Sequence, residues 1–179
     1  LYSGRLRIRD ADMRAADQAP GGLHTSGNFS KLVARVSRLQ AIVPGHSLYY
    51  SVGGQWASKN LDASEKLALG GARAVRAYPS SEALVDQGWV QSLEWRWAAT
   101  DTLTPFLFYD AARGRQIKSA GGAPGNSVSL RGYGIGLAWG KPGDFSVNAT
   151  LAWRAGTRRA LTDGGDRHPR FFIQAQKVF

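Results

Sequence analysis

From Phe145 to Arg154 the chain changes character at every residue. Phe145, Val147, Ala149, Leu151 and Trp153 alternate with Ser146, Asn148, Thr150, Ala152 and Arg154. A period of two belongs to a β-strand and sends the two sets to opposite faces of a sheet. The same period recurs over Asn28–Leu39, Ser47–Ala57, Gly88–Ala98, Leu103–Asp110, Val128–Trp139 and Arg170–Phe179, and in shorter form over Gly4–Asp10. About eight strands are therefore expected, most near the ~9–11 residues that cross a bilayer at a tilt. No segment sustains a helical period, and residues 10–26 read as a polar loop.

The connectors sharpen this pattern. They are long at 11–27, 59–86, 111–126 and 157–169, and short near 44, 100 and 142. Strict long–short alternation belongs to antiparallel outer-membrane barrels, whose extracellular loops are long and periplasmic turns short. Trp, Tyr and Phe gather toward strand ends, where aromatic girdles sit. The expected fold is all-β, an antiparallel transmembrane β-barrel. Counting back from the C-terminus, the long loops face outside and the short turns face the periplasm.

Composition removes other classes. No run of about 18 apolar residues exists for a transmembrane helix, and barrel strands never produce one. The formal charge is +10, but the basic residues are scattered without a tract, which argues against nucleic acid as a partner. With no cysteine, disulfides and thiolate metal sites are absent. His24, His46 and His168 fall in separate connectors without metal-ligand spacing. Gly132-Tyr133-Gly134-Ile135-Gly136 lies within a strand and opens no helix, so it reads as small residues facing the lumen rather than as a nucleotide site. No Ser/His/Asp set can be nominated, and neither a catalytic residue, a metal nor a cofactor is expected. Inward Lys31, Arg35, Arg96 and Arg154 suggest a hydrated cationic wall.

The connector at 59–86 is too long to be a plain link, and such loops are usually functional. It holds Gly70-Gly71 and then Val75-Arg76-Ala77-Tyr78-Pro79, with Asp62 placed to cap a short helical turn. Strand parity puts Ser92, Glu94 and Arg96 together on one face of their strand, and Phe108 and Asp110 together on one face of theirs. Acids facing lipid are costly, so both carboxylates are expected to point inward. A buried guanidinium needs a planar two-oxygen acceptor, so Arg76 is expected to pair with Asp110, with Glu94 nearby.

Taken in order, Gly54–Lys66, Leu69-Gly70-Gly71, Val75–Pro79, Ser92-Leu93-Glu94 and Phe108-Tyr109-Asp110 resemble the outer-membrane transporters of two-partner secretion, the haemolysin-activator ShlB/FhaC/HecB family. The resemblance spans nearly the whole chain. It implies a sixteen-stranded barrel of which residues 1–179 are the C-terminal half, with the N-terminal half and two periplasmic POTRA domains outside this chain. The start at Leu1-Tyr2-Ser3 reads likewise as a piece of a longer protein. The resemblance further implies that the loop enters the lumen and that Arg76 contacts the wall at Asp110, Glu94 and Phe108. Ala77 stands where many relatives carry Gly. A terminal Phe179 resembles the signal read by the outer-membrane assembly machinery.

The implied activity is passage of a secreted partner exoprotein, of haemolysin or adhesin type, across the bacterial outer-membrane bilayer without ATP. The alternatives are a related barrel that inserts or assembles outer-membrane proteins, and a passive porin.

Overall fold

The computed structural model describes residues 1–80, 82–119, 126–141, 143–162 and 167–178. Phe179, Pro142 and Gly164-Gly165-Asp166 lie outside the described residues. Eight strands form one antiparallel sheet: β1 (Tyr2–Leu6), β2 (Gly27–Val43), β3 (His46–Ala57), β6 (Gln87–Trp97), β7 (Leu103–Arg115), β8 (Ser127–Lys141), β9 (Phe145–Arg154) and β10 (Arg170–Lys177). They pair in that order, with β1 and β10 at the edges. Two short strands, β4 (Leu67–Ala68) and β5 (Leu84–Val85), pair only with each other inside the connector between β3 and β6.

The register follows from the period-two pattern. Between β8 and β9, Tyr133 faces Trp153, Ile135 faces Leu151, Leu137 faces Ala149 and Trp139 faces Val147. The two apolar rows thus lie on one face, and a slip of one residue would send both to the other. That row continues through Leu107 and Tyr109 on β7, Leu93 and Trp95 on β6, and Ile173 on β10, all at least 40% exposed. A broad exposed apolar face is the face a membrane covers. Trp89 and Trp97 lie eight positions apart in the same row of β6, about 26 Å along a strand at ~3.3 Å per residue. At a tilt of about 40° this spans roughly 20 Å of height, so these tryptophans bracket most of the ~25 Å apolar band of an outer-membrane barrel. His46 opens β3 and stacks beside Trp95 and Trp97, with ring centroids at 5.5 and 6.2 Å.

The polar loop expected over 10–26 contains a helix, α1 (Ala11–Gln18). Asp10 caps it by accepting the Met13 N–H at 2.8 Å. Without a sustained apolar stripe, periodicity did not reveal it. No residue of α1 is buried, and it is held by polar contacts. Asp17 accepts the Thr25 N–H and hydroxyl and the Ser26 N–H at 2.7–3.1 Å. Burial pushes the Asp17 carboxyl up, but these hydrogen bonds more than offset it and lower its pKa to about 2. Strand ends differ too. β1 stops at Leu6 rather than near Asp10, β2 runs to Val43, and β7 runs to Arg115. Paired neighbours carry strands past where alternation fades.

The core lies on the inner face of the wall. Phe106, Phe108, Ala112, Val128, Leu130 and Ala152 project there from β7, β8 and β9. Leu69, Val75, Ala77, Tyr78 and Val85 of the β3–β6 connector pack onto them.

Candidate functional site: an arginine lock on the inner wall

The connector builds its own support before reaching the wall. Asp62 caps a 3-10 turn at Ala63–Glu65, accepting the Ser64 N–H and hydroxyl at 3.0 and 2.7 Å. The β4–β5 ladder is extended by Leu69 N–H to the Ala83 carbonyl and Gly70 N–H to the Glu82 carbonyl, each 3.2 Å. Gly70 and Gly71 then let the two limbs meet. A Cβ on Gly70 would lie 2.4 Å from the Pro79 carbonyl oxygen, and Gly71 sits at φ +114°. Beyond them the chain arches, with the Val75 N–H bonded to the Leu69 carbonyl at 3.0 Å and the Tyr78 N–H to the Val75 carbonyl at 3.1 Å. These bonds satisfy several backbone groups of the arch from within.

Arg76 is carried at the inner turn of this arch and is 7% exposed. Its Nε and Nη2 donate to the two oxygens of Asp110, both at 2.8 Å, a bidentate pair. Nη1 donates to Glu94 Oε1 and Nη2 to Ser92 Oγ, both at 2.8 Å. The Arg76 backbone N–H adds a bond to Asp110 Oδ2 at 3.1 Å. Asp110 is fully buried, and its Oδ1 also accepts the Ser92 hydroxyl at 2.7 Å. These partners converge because β6 and β7 pair with Ser92 opposite Asp110 and Glu94 opposite Phe108. The Arg76 guanidinium carbon sits 3.6 Å from the Phe108 ring centroid, a cation–π contact worth about 2 kcal/mol or more when desolvated. Glu94 Oε2 takes a second arginine, Arg96, at 2.6 and 2.8 Å. Arg96 in turn lies over Tyr49 at 4.5 Å. Charges therefore alternate along Asp110, Arg76, Glu94 and Arg96 and cancel.

The glycines of β8 complete the fit. A Cβ on Gly132 would lie 2.6 Å from the Ala77 Cβ, one on Gly134 2.5 Å from Phe108, and one on Gly136 2.1 Å from Phe106. The bare stripe is the space into which Ala77 and the two rings pack. Among described non-glycine residues positive φ occurs at His24 and Ala83, not at Ala77, so alanine is unstrained here. Val75 and Tyr78 flank Arg76 in the core, and Pro79 turns the chain back toward Glu82.

Two further acids, Glu82 and Asp86, bind neighbouring connectors. Neither was singled out in the sequence, although acids flanking Ala83-Leu84-Val85 signal buried carboxylates with dedicated donors. Glu82 Oε2 accepts the Leu161 N–H, the Thr162 N–H and the Thr162 hydroxyl at 2.8–3.0 Å. The Tyr78 hydroxyl donates to the Arg158 carbonyl at 3.0 Å. Asp86 holds the Leu61 and Lys118 N–H groups at 3.1 and 2.8 Å and the Lys66 ammonium at 3.2 Å. The arch that carries Arg76 is thus fastened to the loops above it. Glu82→Gln is expected to release residues 155–162, because an amide replaces a carboxylate facing three donors. Limited proteolysis should cut that connector on the order of tenfold faster; an unchanged rate would show that Glu82 does not hold it.

Among the described residues no cluster of His, Cys, Asp or Glu forms a metal site. The group's chemistry is electrostatic: it holds a loop against a wall.

The chain matches the family model of the haemolysin secretion/activation protein ShlB/FhaC/HecB over residues 6–139. It belongs to that family. The heme/hemopexin transporter protein HuxB of Haemophilus influenzae (strain 86-028NP) is 29% identical over 85% of this chain and 27% of its own length. HuxB of a second H. influenzae strain (Rd) is 30% identical over the same shares. The chain therefore spans about a quarter of the length of these relatives. In fold it resembles CdiB from Acinetobacter baumannii, with a TM-score of 0.59, 16% identity, and coverage of 84% of this chain and 26% of that one. As a member of the ShlB/FhaC/HecB family, it is an outer-membrane β-barrel protein of the two-partner secretion class. The apolar outer face is then its lipid surface, and Arg76 lies on the opposite face.

Proposed function

We propose that this chain is the C-terminal half of a sixteen-stranded barrel that passes a partner exoprotein across the outer membrane, and that the loop carrying Arg76 is its lumen latch. The observation that carries the reading is a buried arginine, brought in by a long loop, that meets two inward carboxylates of the wall of a transporter-family barrel. Such a contact has no use as a packing device alone, since a buried pair gives little net stability over apolar side chains. It makes sense as an element with two positions. The missing barrel half and the POTRA domains would supply the rest of the lumen and capture the partner.

The work is transport and not catalysis, and ATP has no part in it. The partner crosses unfolded, and its folding outside draws the chain forward. The HuxB relatives, named for heme/hemopexin transport, support a secreted partner. The test is to delete the full-length gene and follow a co-encoded large exoprotein. Its retention inside the cell, with other outer-membrane proteins at normal levels, is expected. A general fall in outer-membrane proteins would instead assign the chain to assembly. Normal secretion with loss of a steady conductance would assign it to passive diffusion.

A further inference from the structure

Every formally charged residue in the outward row of the main sheet's strands is basic, among the described residues. At the end bearing the long connectors the row holds Arg113 and Arg115 on β7 and Arg131 on β8, all exposed. Arg113 faces Trp89 on one side and Ser129 on the other; Arg115 faces Gln87 and Ser127. Arg131 lies two positions beyond Tyr133, whose ring stacks with Trp153 at 6.1 Å. Their backbones are held by the strand ladders, and none of the three guanidinium groups has a hydrogen bond or ion pair to a described residue. Near the turns, Lys177 pairs with Asp144 at 3.3 Å and Arg38 bonds Gln40 at 2.6 Å, while Lys141 stands exposed at the end of β8.

An unpaired arginine facing hydrocarbon is expensive, and the cost falls toward the interface. Two strand positions are about 7 Å, so these guanidiniums stand level with or just beyond the aromatic girdle, at the height of lipid headgroups. The patch offers three guanidinium forks, two serine hydroxyls and an amide, and no carboxylate. That donor set matches an anion with several oxygens, and the guanidinium fork matches phosphate. The patch is also continuous with the lipid-facing row through Tyr109 and Tyr133, which favours a lipid-borne phosphate over a free one.

We propose that Arg113, Arg115 and Arg131 form a binding surface for phosphate groups on the glycolipid headgroups of the outer leaflet, fixing the height and rotation of the barrel wall next to its latch. It is independent of what the barrel transports. The full-length transporter in nonionic detergent would be titrated with the outer-leaflet glycolipid, with the same glycolipid stripped of phosphate, and with inorganic phosphate, counting bound glycolipid by native mass spectrometry. Preferential, salt-sensitive binding of the phosphorylated form is expected. Arg131→Gln should weaken it about fivefold, and the triple glutamine variant on the order of a hundredfold. Each arginine is exposed, so single variants give the answer even where the triple variant fails to assemble. Lys177→Gln, at the turn end, should change nothing. Equal binding of the stripped glycolipid, or unchanged binding by the single variants, would overturn the proposal. Displacement by inorganic phosphate at the glycolipid's own concentration would reassign the patch to free anions.

Discussion

Arg76→Ala is expected to abolish release of the partner exoprotein while the barrel still reaches the outer membrane. Truncation removes four side-chain hydrogen bonds to Asp110, Glu94 and Ser92 and the contact over Phe108. Breaking a buried ion pair from one side costs about 3–5 kcal/mol. A loop held by that contact would shift its balance by a factor on the order of a hundred to several thousand. The wall itself should survive. Asp110 keeps the Ser92 hydroxyl, and Glu94 keeps Arg96. Arg76→Lys retains the charge but loses the two-pronged fit and the planar stacking, so secretion should fall and not vanish. Asp110→Ala should match Arg76→Ala, and the double variant should be little worse than either, since both break one contact. Exoprotein in the medium, set against folded barrel in the membrane, reads the outcome. Full secretion by both single variants would remove the latch from the mechanism.

Gly134→Val should act earlier, on the barrel's existence. A Cβ at this position would lie 2.2 Å from the Leu151 carbonyl oxygen and 2.5 Å from the Phe108 ring. The first neighbour is backbone of the adjoining strand, so relief requires opening the β8–β9 ladder. The second is the ring beneath Arg76, so relief displaces the lock. Overpacking alone costs about 1–3 kcal/mol, and lost strand pairing adds to it. Folded barrel, judged by its altered migration on unheated gels, should drop to a small fraction of the wild-type amount. Gly143→Ala is the control: its φ is +78° and nothing lies within 4 Å, so it carries backbone strain of about 1 kcal/mol without a clash. Normal amounts of Gly134→Val barrel would refute the packing account of the glycine stripe.

How much of this was legible can be argued residue by residue. Along Phe145–Arg154 the alternation placed every side chain on the face it occupies, and its ends coincide with β9. The β8 glycines read as small residues leaving space on the face opposite the apolar row, but what fills that space did not, because Phe106, Phe108 and Ala77 arrive from elsewhere. α1 escaped detection because it buries nothing, leaving no periodic signature. Glu82 and Asp86 were passed over because most of their donors are backbone N–H groups far away in sequence, and a backbone N–H carries no residue identity.

The sequence by itself determined the all-β architecture, the order of long and short connectors, and which face of each strand meets lipid. Those properties are local: a strand's period is two whatever surrounds it, and acids are driven off a lipid-facing row. The family motifs marked Arg76 as the residue of interest. Asp110, Glu94 and Phe108 were its expected partners; only the tertiary structure decided how Arg76 divides its donors among Asp110, Glu94 and Ser92, that Glu94 is shared with Arg96, and that the arch is tied to the connectors through Glu82 and Asp86. The loop between Ala57 and Gln87 obeys no period. Where its tip lands is settled by non-local packing of Val75, Ala77 and Tyr78 on the bare face of β8 and its neighbours, and the hydrogen bonds follow from that placement.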